Sequence, residues 1–270
     1  IDRPGIGQVN PIKEWSTPIV SSYGNQKLVP QFTNSLEVNH TRRVKNGSIT
    51  AGVFYRAISN EINRALYVDE SDIQSGKVIL THDNFDNTSA YGMELSSNYR
   101  PTKWWSFNTS FDLFSQTQKG IAEYLDVPLA EATVDNIVRD NNSVDNLAWN
   151  FRMYNSLSAS KKLTFTVFMF YRGENKNLQF DMLPMYFMNL GARLNVLKGK
   201  GAVNLGFNDV FNTMKFRFSA RKPFPSVGEF NWESRTVQLG FNYRFGSSKY
   251  QAKSRRQREN DEKNVSGGMF

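Results

Sequence analysis

The stretch TVQLGFNYRFG near the end of the chain alternates without a break. Val237, Leu239, Phe241, Tyr243 and Phe245 fall on one side, and Gln238, Gly240, Asn242 and Arg244 on the other. A period of two marks a strand with one oily face and one wet face. The pattern recurs. Trp105, Phe107, Phe111 and Leu113 oppose Ser106, Asn108, Ser110 and Asp112. Tyr91, Met93, Leu95 and Tyr99 oppose Gly92, Glu94, Ser96 and Asn98. LAWNFRMYNSLSA and MNLGARLNVL alternate in the same way, and 31–43, 48–59, 163–172 and 201–218 do so more weakly. This predicts about nine strands, most near the ten or so residues that a tilted strand needs to cross a bilayer.

Alternation alone also fits a soluble β-sandwich with its apolar face inward. Connection lengths separate the two. VKNG, RPTK, SKK and LKGKG are tight turns, and between them lie the long segments 60–87, 117–146, 173–184 and 219–234. Short turns at one end and long loops at the other are the plan of an outer-membrane barrel. Trp104, Trp105, Tyr99, Tyr171 and Tyr243 gather near strand ends, where aromatic girdles belong. The expected fold is therefore all-β, an antiparallel transmembrane β-barrel of outer-membrane type over 1–246. A basic tail, 247–270, follows it and is expected to be disordered and periplasmic.

Parity adds an expectation. If the last strand runs down toward the periplasm, nine strands joined by short periplasmic turns make the first one run down as well. A bacterial barrel has an even number of strands. The chain is thus expected to be a C-terminal piece, with at least one upward strand before Ile1.

Composition excludes several functions. No run of 18 apolar residues occurs, so no membrane-spanning helix is expected. Cysteine is absent, which removes disulfides and thiolate metal sites, and only two histidines are present. The net charge of +8 invites a nucleic-acid reading, but much of the cationic charge sits in the tail and in short turns. No nucleic-acid partner and no cofactor are expected.

Several motifs carry a resemblance. IDRPGIGQVNP followed by YGNQKLVP resembles the RP…NP…GN-x-L-x-P stretch of TonB-dependent outer-membrane receptors, at Arg3, Pro4, Asn10, Pro11, Gly24, Asn25, Leu28 and Pro30. FNDVFNTMKF resembles that family's penultimate-strand segment. QLGFNYRF resembles its assembly signal, with Gln238, Gly240, Tyr243 and Phe245 in the matching places. The resemblance implies a ligand-uptake barrel in the outer-membrane lipid, with long loops outside the cell. It also implies a plug and further strands outside this chain, energy coupling through the TonB complex, and folding by the barrel-assembly machinery. Plug and coupling box are not found in the sequence at hand, so a structural or adhesive barrel stands as the alternative, with a barrel hydrolase behind it.

Candidate contacts lie on the wet faces: Glu37, Arg56, Glu94, Asp112, Arg152, Arg193 and Arg244. They are read either as plug or solute contacts or as ordinary charges of a wet interior. Asp69, Glu70 and Asp72 in one loop offer oxygen ligands of the kind Ca²⁺ takes, without EF-hand spacing. Trp15, Tyr67, Tyr124 and Trp232 are expected in loops, either stacking on a ligand or packing the rim. His82, beside Asp83 and near Asp86, is expected in an outer loop, far from His40; no G-x-S-x-G elbow accompanies it. No catalytic residue is assigned.

Overall fold

The computed structural model describes residues 1–12, 15, 16 and 18–245. The alternating segments become nine wall strands: β1 (Phe32–Val44), β2 (Gly47–Val68), β3 (Val78–Tyr99), β4 (Trp105–Leu125) and β5 (Ile137–Ser158), then β6 (Leu163–Arg172), β7 (Met185–Val196), β8 (Gly201–Phe207) and β9 (Val237–Tyr243). Each pairs antiparallel with its neighbour along the chain. The sheet is open: among the described residues β1 pairs only with β2, and β9 only with β8. Among those residues no helix is long and apolar enough to cross a membrane, which leaves strands as the crossing element.

The register sorts the side chains into two faces. One carries Leu36 and Val38 of β1, Val53 and Tyr55 of β2, Tyr91, Met93 and Leu95 of β3, Leu147 and Trp149 of β5, and Leu239 and Phe241 of β9, all exposed. Leu239 keeps 76% of its surface accessible and Leu36 68%. Large apolar residues left bare in a row are what a wall facing lipid requires. The band runs from Tyr99 to Tyr91 on β3, eight steps or about 27 Å along a strand. Strand tilt brings that close to the ~25 Å apolar band of outer-membrane barrels. Ring pairs edge the wall, with Trp104 stacked on Trp105, Trp105 tilted against Phe107 at 5.5 Å and Trp149 stacked on Tyr171 at 4.0 Å. The opposite, inner face carries Ser, Thr, Asn and the predicted charges, together with Phe54 of β2, Phe114 of β4 and a ring cluster of Phe168, Phe170 and Phe187 on β6 and β7.

Two expectations about connections need correction. The four tight turns stand where the sequence put them, but the segments 60–87 and 117–146 are mostly strand. β2, β3 and β5 each run 22 residues and β4 runs 21, so the true links shrink to 69–77 and 126–136. A strand of that length spans about 70 Å, far more than the membrane needs. The second correction concerns 201–218. β8 stops at Phe207, and the chain then turns through Asp209 (φ 43) and Asn212 (φ 55). FNDVFNTMKF is thus a strand end and a turn, and its last residue begins a separate strand.

That strand, Phe216–Ala220, belongs to a small second sheet with Asn175–Lys176, Phe180–Met182 and Ser226–Phe230. The sheet is built entirely from the 173–184 and 208–236 links. In the plane of the wall, Val20–Ser22 pairs parallel with Val78–Leu80 at the edge of the β3 extension, and Trp15–Ser16 pairs antiparallel with it. Strand extensions, small sheet and N-terminal segment together form a cap at the link end.

Burial follows the same division. Among the described residues there are three small apolar clusters, and all lie in the cap. Ala65, Phe85 and Leu178 form one; Leu66, Phe180 and Ala220 a second; Val68, Ile73 and Ala132 a third. Consecutive residues of β2 therefore bury into different clusters on opposite faces. The wall strands within the membrane band contribute no such cluster.

Candidate functional site: the inner face and the cap

The inner face is where the sequence expected contacts, and the register puts the predicted charges there. Glu37 on β1 accepts a 2.8 Å hydrogen bond from Arg56 on β2. The Arg56 guanidinium also sits 4.5 Å from the Phe54 ring centre. Glu94 on β3 lies directly opposite Asp112 on β4, and like charges across a pair repel. Arg152 on β5 approaches Asp112 to 4.0 Å and offsets part of that repulsion. Arg193 on β7 stands apart, 3.4 Å from Asn195. Arg244 lies one residue past β9, its backbone N–H donating to the Lys200 carbonyl at 2.8 Å. The seven residues share a face without converging on one point.

An arm crosses this face at the link end. After β6 the 173–184 link returns over the inner side, fixed to buried amides on one strand after another. Asn146 of β5 donates to Asn175 Oδ1 at 2.8 Å and accepts from the Lys176 N–H at 3.2 Å. Gln118 of β4 accepts from the Leu178 N–H at 3.3 Å and donates to Glu61 of β2 at 2.8 Å. Gln179 then pairs with β2 as a strand would: its amide accepts the Leu66 N–H at 2.7 Å and donates to the Leu66 carbonyl at 2.6 Å. Buried donors and acceptors cost free energy unless partnered, so these contacts specify where the arm lies. Gln118 and Gln179 are both almost fully buried.

Asn60 explains how β2 serves two environments. It takes φ 54 while the register with β3 continues on both sides, Ser59 opposite Asn87 and Glu61 opposite Phe85. Asn tolerates this left-handed backbone better than most residues. The rotation brings odd-numbered Glu61 to the face of Thr88 and Gln118, both of which it accepts hydrogen bonds from. Below Asn60 the even-numbered Arg56 holds that face. Higher up, Glu123 of β4 accepts from the Val68 N–H at 2.7 Å and from Arg139 at 2.9 Å.

The resemblance motifs are partly assembled. The Gly24 N–H donates to the Asn10 carbonyl at 2.7 Å, and the Asn25 N–H to the Gln8 carbonyl at 2.7 Å. A Cβ on Gly24 would fall 2.6 Å from backbone atoms of Asn10 and Gln8, so only glycine allows this approach. The Asn25 amide donates to the His82 carbonyl at 3.1 Å and roots the loop on β3. Arg3, Pro11 and Pro30 are exposed, and Pro4 and Leu28 are half-buried. At the other terminus, Gln238 and Gly240 point to the inner face, while Tyr243 and Phe245 have ring centres 6.4 Å apart. The tail 247–270 lies outside the described residues.

Other expectations move. His82 is in β3, opposite Arg64, rather than in a loop. Tyr67 and Tyr124 likewise belong to β2 and β4, and the Tyr67 hydroxyl donates to Asp83. Trp15 pairs through its backbone with Ser22, and Trp232 remains an exposed link residue. Asp69 does lie in a link, where its carboxylate accepts from the Ser71 N–H at 3.2 Å and faces Lys77 at 3.5 Å.

Asp209, inside FNDVFN, is a structural anchor at a position the sequence marked without explaining. It is fully buried. Its carboxylate accepts from the N–H groups of Thr213 (2.8 Å) and Met214 (3.0 Å) and from Ser234 Oγ (2.6 Å), while its own N–H donates to Asn189 of β7. Burial alone would raise its pKa. The bonds from Ser234, Thr213 and Met214 outweigh that and hold the carboxyl below the usual carboxylate range. One ionised side chain thereby ties both ends of the 208–236 link to the inner face of the wall.

Comparison with known families gives a match over residues 1–243 to the one described as outer membrane protein beta-barrel family. No curated protein matches the chain at a significant level.

Proposed function

The chain belongs to the outer membrane protein beta-barrel family, and from that premise we propose that it forms the wall of a ligand-uptake receptor of TonB-dependent type. The observation that carries this reading is the wet, charged inner face beneath a folded cap. An inert wall has no need of strands prolonged to 22 residues with a second sheet pinned across their inner side. In this reading the link end faces the outside and the tight turns face the periplasm. Ligand is met at the cap, passes along Arg56, Glu94, Arg152, Arg193 and Arg244, and leaves below when a plug moves under force from the TonB complex. Gln238, Gly240, Tyr243 and Phe245 would be read by the barrel-assembly machinery. The chemistry is binding and passage, with no bond broken.

The test is a photo-reactive amino acid at Arg152 in the intact native protein, irradiated in living cells. A plug predicts a cross-link from the inner face to a segment outside these 270 residues, with a yield that changes when the proton gradient is collapsed. An inner face that cross-links to nothing, or that ignores the gradient, overturns active uptake and leaves a structural or adhesive barrel.

A further inference from the structure

The cap carries a half-open cavity of ≈ 300 Å³ between the end of β4, the 126–136 link and residues 221–225. That is the lower end of the ~300–1,000 Å³ range of small-molecule sites. Its walls are mainly apolar, with Tyr124, Leu129, Pro223 and Phe224 among them, and its polar lining includes Lys222 and Arg221. Three contacts hold the walls in place. The Leu125 N–H donates to the Pro223 carbonyl at 3.0 Å, and the N–H groups of Arg221 and Lys222 both donate to the Gln179 carbonyl, at 3.0 and 3.2 Å. Gly76 (φ 71), at the β2–β3 tip, supports the far side: a Cβ there would meet Leu129 at 3.0 Å and Phe224 at 3.7 Å.

The two cations differ. Arg221 is taken by Asp181 at 3.0 Å. Lys222 has no carboxylate within ion-pair distance among the described residues; its ammonium sits 4.8 Å from the Tyr124 ring centre. An unneutralised ammonium held on an aromatic face in an apolar cleft is a site short of one negative charge. Burial, with a smaller contribution from Arg221, lowers the Lys222 pKa, whereas Asp140 acts the other way.

We propose that this cavity binds a small monoanion with a flat apolar body, an aromatic carboxylate or close equivalent, with its acid on Lys222 and its ring against Tyr124, Phe224 and Leu129. The proposal rests on the uptake reading for its purpose but not for its chemistry. Occupancy would bridge the end of β4, the β4–β5 link and the 208–236 link, the three parts of the cap that line it.

The test uses the intact native protein in detergent, titrated with 4-hydroxybenzoate and, separately, with its neutral counterpart 4-hydroxybenzamide, by saturation-transfer NMR. Wild type is expected to bind the carboxylate saturably and better than the amide. Lys222→Met should weaken the carboxylate about tenfold or more and leave the amide unchanged, and Lys222→Arg should restore most of the loss. Unchanged hydrogen-exchange protection of the Leu125 N–H confirms that the cap of each variant is folded. Equal affinity of Lys222→Met for the carboxylate, no preference for it over the amide, or no binding overturns the site. The inner-face cross-link is independent: its loss with carboxylate binding intact sinks uptake alone, and its presence with Lys222→Met silent sinks the cavity alone.

Discussion

The lower and upper halves of β2 and β3 use one register for opposite purposes. From Gly47 to Ser59, and from Asn87 to Tyr99, most large apolar side chains face outward and are bare, while the charged and most polar ones face the lumen beside Phe54 and Ile58. From Glu61 to Val68 the same strand buries Ala65, Leu66 and Val68 in succession, because protein covers both of its faces. Below, lipid supplies the apolar phase and no core is needed. Above, water surrounds the strands, and the hydrophobic effect requires them to bring their own covering. One ladder thus acts as a membrane wall and as the frame of an aqueous domain, with Asn60 at the change.

The largest expected effect comes from putting a charge on the wrong side of the lower half. Leu95 lies in the middle of the exposed band. Leu95→Arg should cost about 2–4 kcal/mol, the value for arginine at the bilayer midplane. Its neighbour Ser96, on the inner face, should accept Arg with less than about 1 kcal/mol of change. Reversible folding of both variants into vesicles measures the difference. Equal penalties would mean that the faces are misassigned.

Next in size is the lock in the upper half. Gln179→Leu leaves the Leu66 N–H and carbonyl buried without partners, at a cost of about 2 kcal/mol or more. The loss should be confined to the cap. Faster amide exchange is expected at Leu66 and across the arm, with protection unchanged around Met93 and Leu113. Uniform loosening of both halves would show that cap and wall fold as one unit.

This division also explains what the sequence reveals. Lipid on one side and water on the other impose strict alternation, so strand number, tight turns and inner charges could be read directly from residues such as Leu95 and Glu94. Above Asn60 no single phase dictates a face. NRALYV shows no period of two, because Ala65 and Leu66 bury into different clusters, and the extensions look like loops. The small sheet is illegible for another reason: its strands are two to five residues long and come from links far apart in sequence. Gln118, Asn146 and Gln179 resemble any solvated amide until the arm covers them. Gly24, Asn25 and Asp209 were marked by resemblance alone, and their backbone contacts supply the physical reason. The cavity at Lys222 gave no signal, since the residues around it come from the end of β4 and two links far apart in sequence.

A smaller effect is expected where one charge joins the two halves. Asp209→Asn removes the carboxylate that holds the 208–236 link, at a cost of about 1–2 kcal/mol. The sign of the pH dependence follows from the lowered pKa. Asp209 contributes stability that is fully present above the ordinary aspartate value of about 3.9 and is lost as pH falls through the lower folded value. Amide exchange at Thr213 and Met214 should therefore rise in the wild type as pH falls through that value, whereas in the variant it should be fast already at neutral pH and lack this acid step. Identical acid profiles would place the control elsewhere.

The smallest expected effect is at Glu37 and Arg56. They form a 2.8 Å pair on the inner face of the lower half, with side chains 43% and 40% accessible. At that exposure both charges are hydrated and screened, so Glu37→Gln should change stability by less than about 1 kcal/mol, and by still less in molar salt. The value of the measurement lies in its sensitivity to water. If the lumen beside β1 is wet, the pair contributes little and salt removes it. In a lumen dried by other parts of the protein, breaking the pair would strand an arginine in a low dielectric and cost several kcal/mol regardless of salt. A large, salt-independent loss at Glu37 would extend the dry character of the cap down into the wall, and the contrast between the two halves would fail at that point.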